Sequence, residues 1–191
     1  MTELKRLFDC IEYNLEKKPL EDMLAGKEAG QWRKYSTAEC KTIIDNLSAG
    51  LLSLGIGCGD MTAEGRDKVA ILCKNRPEWV MLDMAVQQIG AILVPVYPTI
   101  NVNELAFVLS DAQVKMAFVN DEDLFLKVVS LKDKVPSLKD IFTFEHVQNA
   151  RHWKEVTALT SAEGIAEAKK IAATIEYEHL ATIIYTSGTT G

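Results

Sequence analysis

Two short apolar runs flank a helix-length segment between residues 69 and 97, and that succession restricts the chain to few folds. Val69-Ala-Ile-Leu-Cys73 is aliphatic and partly β-branched, the pattern of a buried strand. Asn75-Arg-Pro-Glu78 follows, with Pro77 placed where a helix begins, because the missing N–H costs nothing at the first helical position. Residues 79–89 are apolar on nearly every side, which predicts a helix buried between layers, and Gly90 ends it. Residues 91–97 read as a second strand in which Pro95, unable to donate to a ladder, marks an edge, a bulge or the strand's end. A helical crossover between two strands makes them parallel and the connection right-handed.

The alternation continues with a helix over 103–111, a strand over 115–119, a helix over 122–131 and a strand near 140–144. The fold class is therefore α/β, a mostly parallel sheet with flanking helices. Upstream, Cys40, Ile43, Ile44, Leu47, Leu51 and Leu54 recur at steps of three and four and mark one face of a helix. Ser36 and Glu39 have the spacing of its capping box, and Gly55, Gly57 and Gly59 stop it before a polar loop over 60–68. Downstream, 145–161 reads as a surface linker. A charged helix over 162–175 follows, with Ile165, Ala168, Ala172 and Ile175 on one face and Thr160 and Glu163 placed to cap it. Leu180-Ala-Thr-Ile-Ile-Tyr185 then predicts a final buried strand.

That strand runs into Thr186-Ser-Gly-Thr-Thr-Gly191, which puts four hydroxyls and two glycines into six residues. Glycine lets backbone N–H groups approach a ligand closely, and each hydroxyl donates to an anionic oxygen, a combination that suits phosphate. Ligands of open parallel sheets sit beyond the carboxyl ends of the strands, where this loop emerges. An ordinary Ser/Thr/Gly turn has the same composition, so the residue order has to decide. It is not a Walker-type loop, G-x-x-x-x-G-K-[ST], because Gly188 and Gly191 are only three positions apart.

Composition removes other classes. With 21 Lys+Arg against 27 Asp+Glu and a net charge of −6, and without a basic run, no nucleic-acid partner is expected. Trp32, Trp79 and Trp153 are too dispersed for a base-stacking platform, and Trp79 is expected in the core. Cys10, Cys40, Cys58 and Cys73 lack C-x-x-C spacing, and His146, His152 and His179 lack the helical pair spacing of a metal site. The histidines are read as surface or packing residues. Asp121, Glu122 and Asp123 are placed to favour a helix start through its dipole rather than to hold a cation. No run reaches the length of a transmembrane span and no signal peptide opens the chain, so a reducing cytoplasmic setting is expected, with peripheral membrane contact left open.

Tyr185-Thr-Ser-Gly-Thr-Thr-Gly191 resembles the signature of the adenylate-forming superfamily, which includes acyl-CoA synthetases, luciferases and peptide-synthetase adenylation domains. Two further stretches resemble the same family in the same order. One is Tyr35-Ser-Thr-Ala-Glu39 with the helix ending Gly50-Leu-Leu-Ser-Leu-Gly55; the other runs from Asp67 through Asn75-Arg-Pro-Glu-Trp79 to Val96-Tyr-Pro-Thr99. The second is most similar to the long-chain fatty acyl-CoA synthetase branch, although residues 61–66 are longer than the family's usual turn. The resemblance implies that residues 1–191 form the N-terminal portion of the large N-terminal domain of an AMP-forming fatty acid:CoA ligase, with the C-terminal domain and its catalytic lysine absent. It implies that Thr186, Ser187, Gly188, Thr189, Thr190 and Gly191 bind the β- and γ-phosphates of ATP. It also implies that Thr186 contacts Mg2+ in the nucleotide complex, and that fatty acid and CoA are the other substrates. On this reading the chain contains no catalytic residue, is inactive alone and self-associates through uncovered apolar surface. Another acyl- or aryl-CoA ligase of the superfamily, or a naturally short binding module, are the alternatives.

Overall fold

The computed structural model describes residues 4–28 and 30–186. The chain divides into two compact units, one of Met1–Gly57, Asn75–Gly90 and Val156–His179, the other of Cys58–Lys74, Ala91–Glu155 and Leu180–Gly191.

The first unit is built on α2 (Thr37–Ser53), which lies against α1 (Asp9–Lys17), α3 (Pro77–Gln88) and α7 (Ala162–Thr174). The hydroxyl of Ser36 accepts from the N–H of Glu39 at 3.1 Å, as the capping spacing requires, while the Glu39 carboxylate takes Arg33. The helix stops at Gly55, whose φ of +73° is in the left-handed region. Gly55 N–H donates to Leu52 and Ile56 N–H to Leu51, at 2.9 and 3.0 Å, satisfying carbonyls that the helix end leaves open. α3 starts with Pro77 at its first position.

The buried face of α3 is less apolar than its sequence suggests, because Asp83, Gln87 and Gln88 are buried with it. Each finds a partner. Gln87 Nε2 donates to Asp83 Oδ1 at 2.8 Å, and Gln88 Nε2 donates to Asp45 Oδ1 at 3.0 Å. Burial pushes the Asp83 carboxyl above its ordinary range, against the opposing pull of the Gln87 hydrogen bond. A carboxyl whose folded-state pKa is raised adds stability below its unfolded value and loses it as pH rises through the folded value, so at pH 7 this group costs stability. Asp83→Asn keeps an acceptor for Gln87 and removes the charge. It is expected to gain about 1 kcal/mol, or roughly 3 °C in thermal midpoint at pH 7, and nothing near pH 3. A lower midpoint at pH 7 would contradict this account.

In the same unit, the Arg6 guanidinium donates to the carbonyls of Ala172 and Ile175, the latter at 2.9 Å, and is fixed by the Asp9 carboxylate at 2.8 Å. The remaining elements were not anticipated by periodicity: α1 and the antiparallel hairpin β1 (Leu24–Glu28) with β2 (Gln31–Tyr35).

The second unit is a parallel sheet. Its strands β3 (Lys68–Leu72), β4 (Ile92–Pro95), β5 (Val114–Val119), β6 (Asp140–Thr143) and β7 (Arg151–His152) lie in the order β4-β3-β5-β6-β7. The expected parallel pairing of β3 with β4 is thus borne out, with Ile71 opposite Pro95 at the very end of β4. Side chains alternate across the sheet, and both sets are buried, which is why these strands read as unbroken apolar runs. On one face Ala70, Leu72, Val94, Ala117, Val119 and Ile141 meet α4 (Val102–Asp111) and α5 (Glu122–Val129).

Three expectations need correction. The supposed linker over 145–161 contains β7 and α6 (Trp153–Ala158), elements too short to show periodicity. The cap of α7 is Ser161, whose hydroxyl accepts from Gly164 N–H at 3.0 Å; Thr160 is one residue early, and its buried hydroxyl has no partner among the described residues. The core tryptophan is Trp153, 5% exposed and tilted against Phe144, whereas Trp79 is only half-buried.

Candidate functional site

The site is approached through residues 180–186. Parallel strands all end on the same side of a sheet, so a segment running parallel to β4 delivers whatever follows it to the carboxyl edge. This segment does so. Thr182 forms a parallel bridge with Leu93, Leu93 N–H donates to Ala181 O at 3.4 Å, and Ile183 N–H donates to Leu93 O at 3.0 Å. The Thr182 hydroxyl donates to the same Leu93 carbonyl at 2.9 Å.

The segment is nevertheless not the fully buried strand its composition predicts. It makes a single bridge and is lined on one side only: Ile183 and Tyr185 pack on the core, while Ile184 is 62% exposed. An apolar run alone does not distinguish a sheet interior from an edge, because both need aliphatic side chains on the inner face.

Tyr185 closes the segment against α4. Its hydroxyl donates to Asp111 Oδ2 at 2.5 Å, and its ring meets Phe107 edge-on, with centroids 6.2 Å apart and planes at 89°. Burial, with the Asp111 carboxylate accepting the phenolic proton, pushes the Tyr185 phenol up to about 12. Asp111 lies 74 residues before Tyr185, and no motif or periodicity singles it out.

Thr186 is exposed at the end of this segment. Ser187, Gly188, Thr189, Thr190 and Gly191 lie outside the described residues. The same edge of the sheet carries Asn120, which follows β5 and is buried. Its amide donates to Glu145 Oε1 at 2.9 Å and Asp121 Oδ2 at 3.1 Å.

The acids at 121–123 act as the start of α5: Asp121 Oδ1 accepts from Leu124 N–H at 3.1 Å, and Glu122 and Asp123 occupy the first turn. Among the described residues no group of three or more His, Cys, Asp or Glu is placed to hold a metal ion. His146 and His152 are instead stacked on each other, with ring centroids 4.1 Å apart. The Nε2 of His152 lies 3.0 Å from Phe144 O and its Nδ1 accepts from Lys154 N–H at 3.4 Å. Burial holds its pKa below the ordinary value. His179 Nδ1 accepts from Glu176 N–H at 2.9 Å. The four cysteines are free, and no helix among the described residues is long and apolar enough to cross a membrane.

Comparison with known proteins agrees with this geometry. Residues 11–191 match the family described as AMP-binding enzyme. Over 162 residues the chain is 30% identical to "Long-chain-fatty-acid--CoA ligase FadD15" of Mycobacterium bovis, covering 85% of this chain and 26% of that one. It is 31% identical over 174 residues to "Fatty acyl-CoA synthetase B" of Dictyostelium discoideum, covering 84% and 24%. The chain thus spans about a quarter of the length of these relatives. Among solved structures, a putative long-chain-fatty-acid CoA ligase from Rhodopseudomonas palustris is 26% identical with a TM-score of 0.64, covering 82% of this chain and 36% of that one. Acetoacetyl-CoA synthetase from Streptomyces lividans, at 21% identity and TM-score 0.76, covers 96% and 28% and shares the fold. With a family match over nearly its whole length and a parallel sheet that leads into the hydroxyl- and glycine-rich segment, this chain belongs to the AMP-binding enzyme family.

Proposed function

We propose that the chain is the N-terminal portion of the large domain of an AMP-forming long-chain fatty acid:CoA ligase, and that residues 186–191 hold the phosphates of ATP. One observation carries the reading: residues 181–183 bond to Leu93 of β4 and direct Thr186 off the carboxyl edge of a parallel sheet, where such folds bind ligands. The relatives' names support the fatty-acid substrate.

In this reading a fatty carboxylate oxygen attacks the α-phosphorus of ATP, pyrophosphate leaves, and the acyl-adenylate forms. The CoA sulfur then attacks the acyl carbonyl and AMP departs. A carboxylate is a poor acyl donor, and the mixed anhydride supplies a good leaving group. The protein has to position reactants and offset phosphate charge. The hydroxyls of Thr186, Ser187, Thr189 and Thr190 donate to β- and γ-phosphate oxygens, and Gly188 and Gly191 let main-chain N–H groups do the same. The Thr186 hydroxyl is a hard oxygen donor of the kind Mg2+ accepts, and the ion would neutralise phosphate charge there.

The test is ATP–pyrophosphate exchange by the full-length protein that carries this chain, offered palmitate, oleate, acetate and anthranilate separately. Exchange is expected with palmitate and oleate. Exchange with anthranilate but neither fatty acid would replace the fatty-acid assignment with an aryl one, and no exchange with any carboxylate would end the acid-activating reading.

A further inference from the structure

We propose that Asp111 is a positioning residue for the phosphate loop, holding through Tyr185 the segment that enters it. The inference rests on the phosphate-binding reading of residues 186–191. Backbone bonds to Leu93 fix the segment as far as Ile183. Two residues later the Tyr185 hydroxyl is bound to the Asp111 carboxylate at 2.5 Å, with the Phe107 ring edge-on to the phenol. A bond to an ionised acceptor is shorter and stronger than a neutral one, and here it is the side-chain tie that directly precedes Thr186.

The tie matters because the segment is weakly held elsewhere. It makes one bridge, and Ile184 is largely in solvent, the features of a region that opens at low cost. A hydrogen bond of ordinary net worth shifts the ratio of docked to released segment by about fivefold. If the docked form is the one that binds ATP, apparent affinity falls with the docked fraction. Asp111 itself is exposed at the end of α4, so its replacement removes the tie without opening the core.

The experiment uses the full-length enzyme with MgATP as the probe. Asp111→Ala and Tyr185→Phe are each expected to raise the KM for ATP, by up to about fivefold, while leaving the KM for fatty acid unchanged. Their combination is expected to add nothing further. Asp111→Asn retains an acceptor oxygen and is expected to recover part of the loss. In the Tyr Cζ resonance, Asp111→Ala is expected to lower the phenolic pKa of Tyr185 from about 12. An unchanged ATP KM in Asp111→Ala, a matching rise in the fatty-acid KM, or an unmoved Tyr185 titration would each overturn the proposal. Thr189→Ala run alongside separates the two claims. If it raises the ATP KM and Asp111→Ala does not, the clamp fails and the phosphate reading stands; if neither variant does, both fail.

Discussion

Gly50→Ala is expected to destabilise the protein by about 3 kcal/mol, lowering its thermal midpoint by roughly 10 °C. The residue is in the interior of α2, where alanine would ordinarily be worth about 1 kcal/mol more than glycine. Space reverses that sign. A Cβ at position 50 would sit 1.9 Å from the main-chain oxygen of Val156 and 2.8 Å from its carbonyl carbon. Both atoms are backbone, so no rotamer change relieves the overlap, and α2 and α6 have to separate. The Val156 oxygen is also engaged, accepting from Leu159 N–H at 3.1 Å. Gly57→Ala is the control: its new Cβ meets only Leu52 Cδ2 at 3.6 Å, and a change within about 0.5 kcal/mol is expected. Equal midpoints for the two variants in thermal denaturation would mean that α2 and α6 are not this close.

Phe142→Ala is expected to cost about 4 kcal/mol. The side chain is fully buried in β6, directly across from Phe118 of β5, and the two rings stack with centroids 5.3 Å apart. On its other side the Arg151 guanidinium lies 4.4 Å from the ring centroid while pairing with Asp140 at 2.8 Å. Truncation thus removes a ring pair, leaves a cavity between parallel strands and uncovers the guanidinium that anchors β7. Because Phe118 and Phe142 share one contact, the double alanine variant is expected to lose less than the sum of the singles. Urea unfolding measures all three, and a loss below about 1 kcal/mol for Phe142→Ala would show that the sheet closes over the gap.

The same physics explains which elements could be read from sequence. Strands β3 to β6 are buried on both faces, so each appears as an apolar run bounded by polar turns; the caps Ser36 of α2 and Asp121 of α5 fall where the sequence places a capping box and an acidic helix start, while Asn101, which caps α4, carried no such signal. The hairpin has the opposite character. Residues 31–34 of β2 are all exposed, Trp32 by 68%, so no buried face imposes alternation. The α7 cap falls one residue later than the capping-box spacing of Thr160 and Glu163 predicts, because Ser161, not Thr160, is placed to accept from Gly164 N–H. At the candidate site the loop was conspicuous in the sequence because its composition is unusual and its residue order resembles a known signature. Asp111 was not, since an aspartate at the end of a helix has many uses and its partner lies 74 residues away.

The pairing of Leu93 with Thr182 also sets an order of assembly during synthesis. β3 and β4 leave the ribosome close together, but the hydroxyl that reaches the Leu93 carbonyl is encoded 89 residues later, roughly ten seconds at ordinary elongation rates. Throughout that interval the outer edge of β4 is an unpaired template that a neighbouring nascent chain can meet. Its own features limit the risk: β4 is only four residues long and ends in Pro95, so a foreign strand finds few donors and an early stop. Pro95, which has no N–H to donate to a ladder, therefore protects the newborn edge until its own partner arrives.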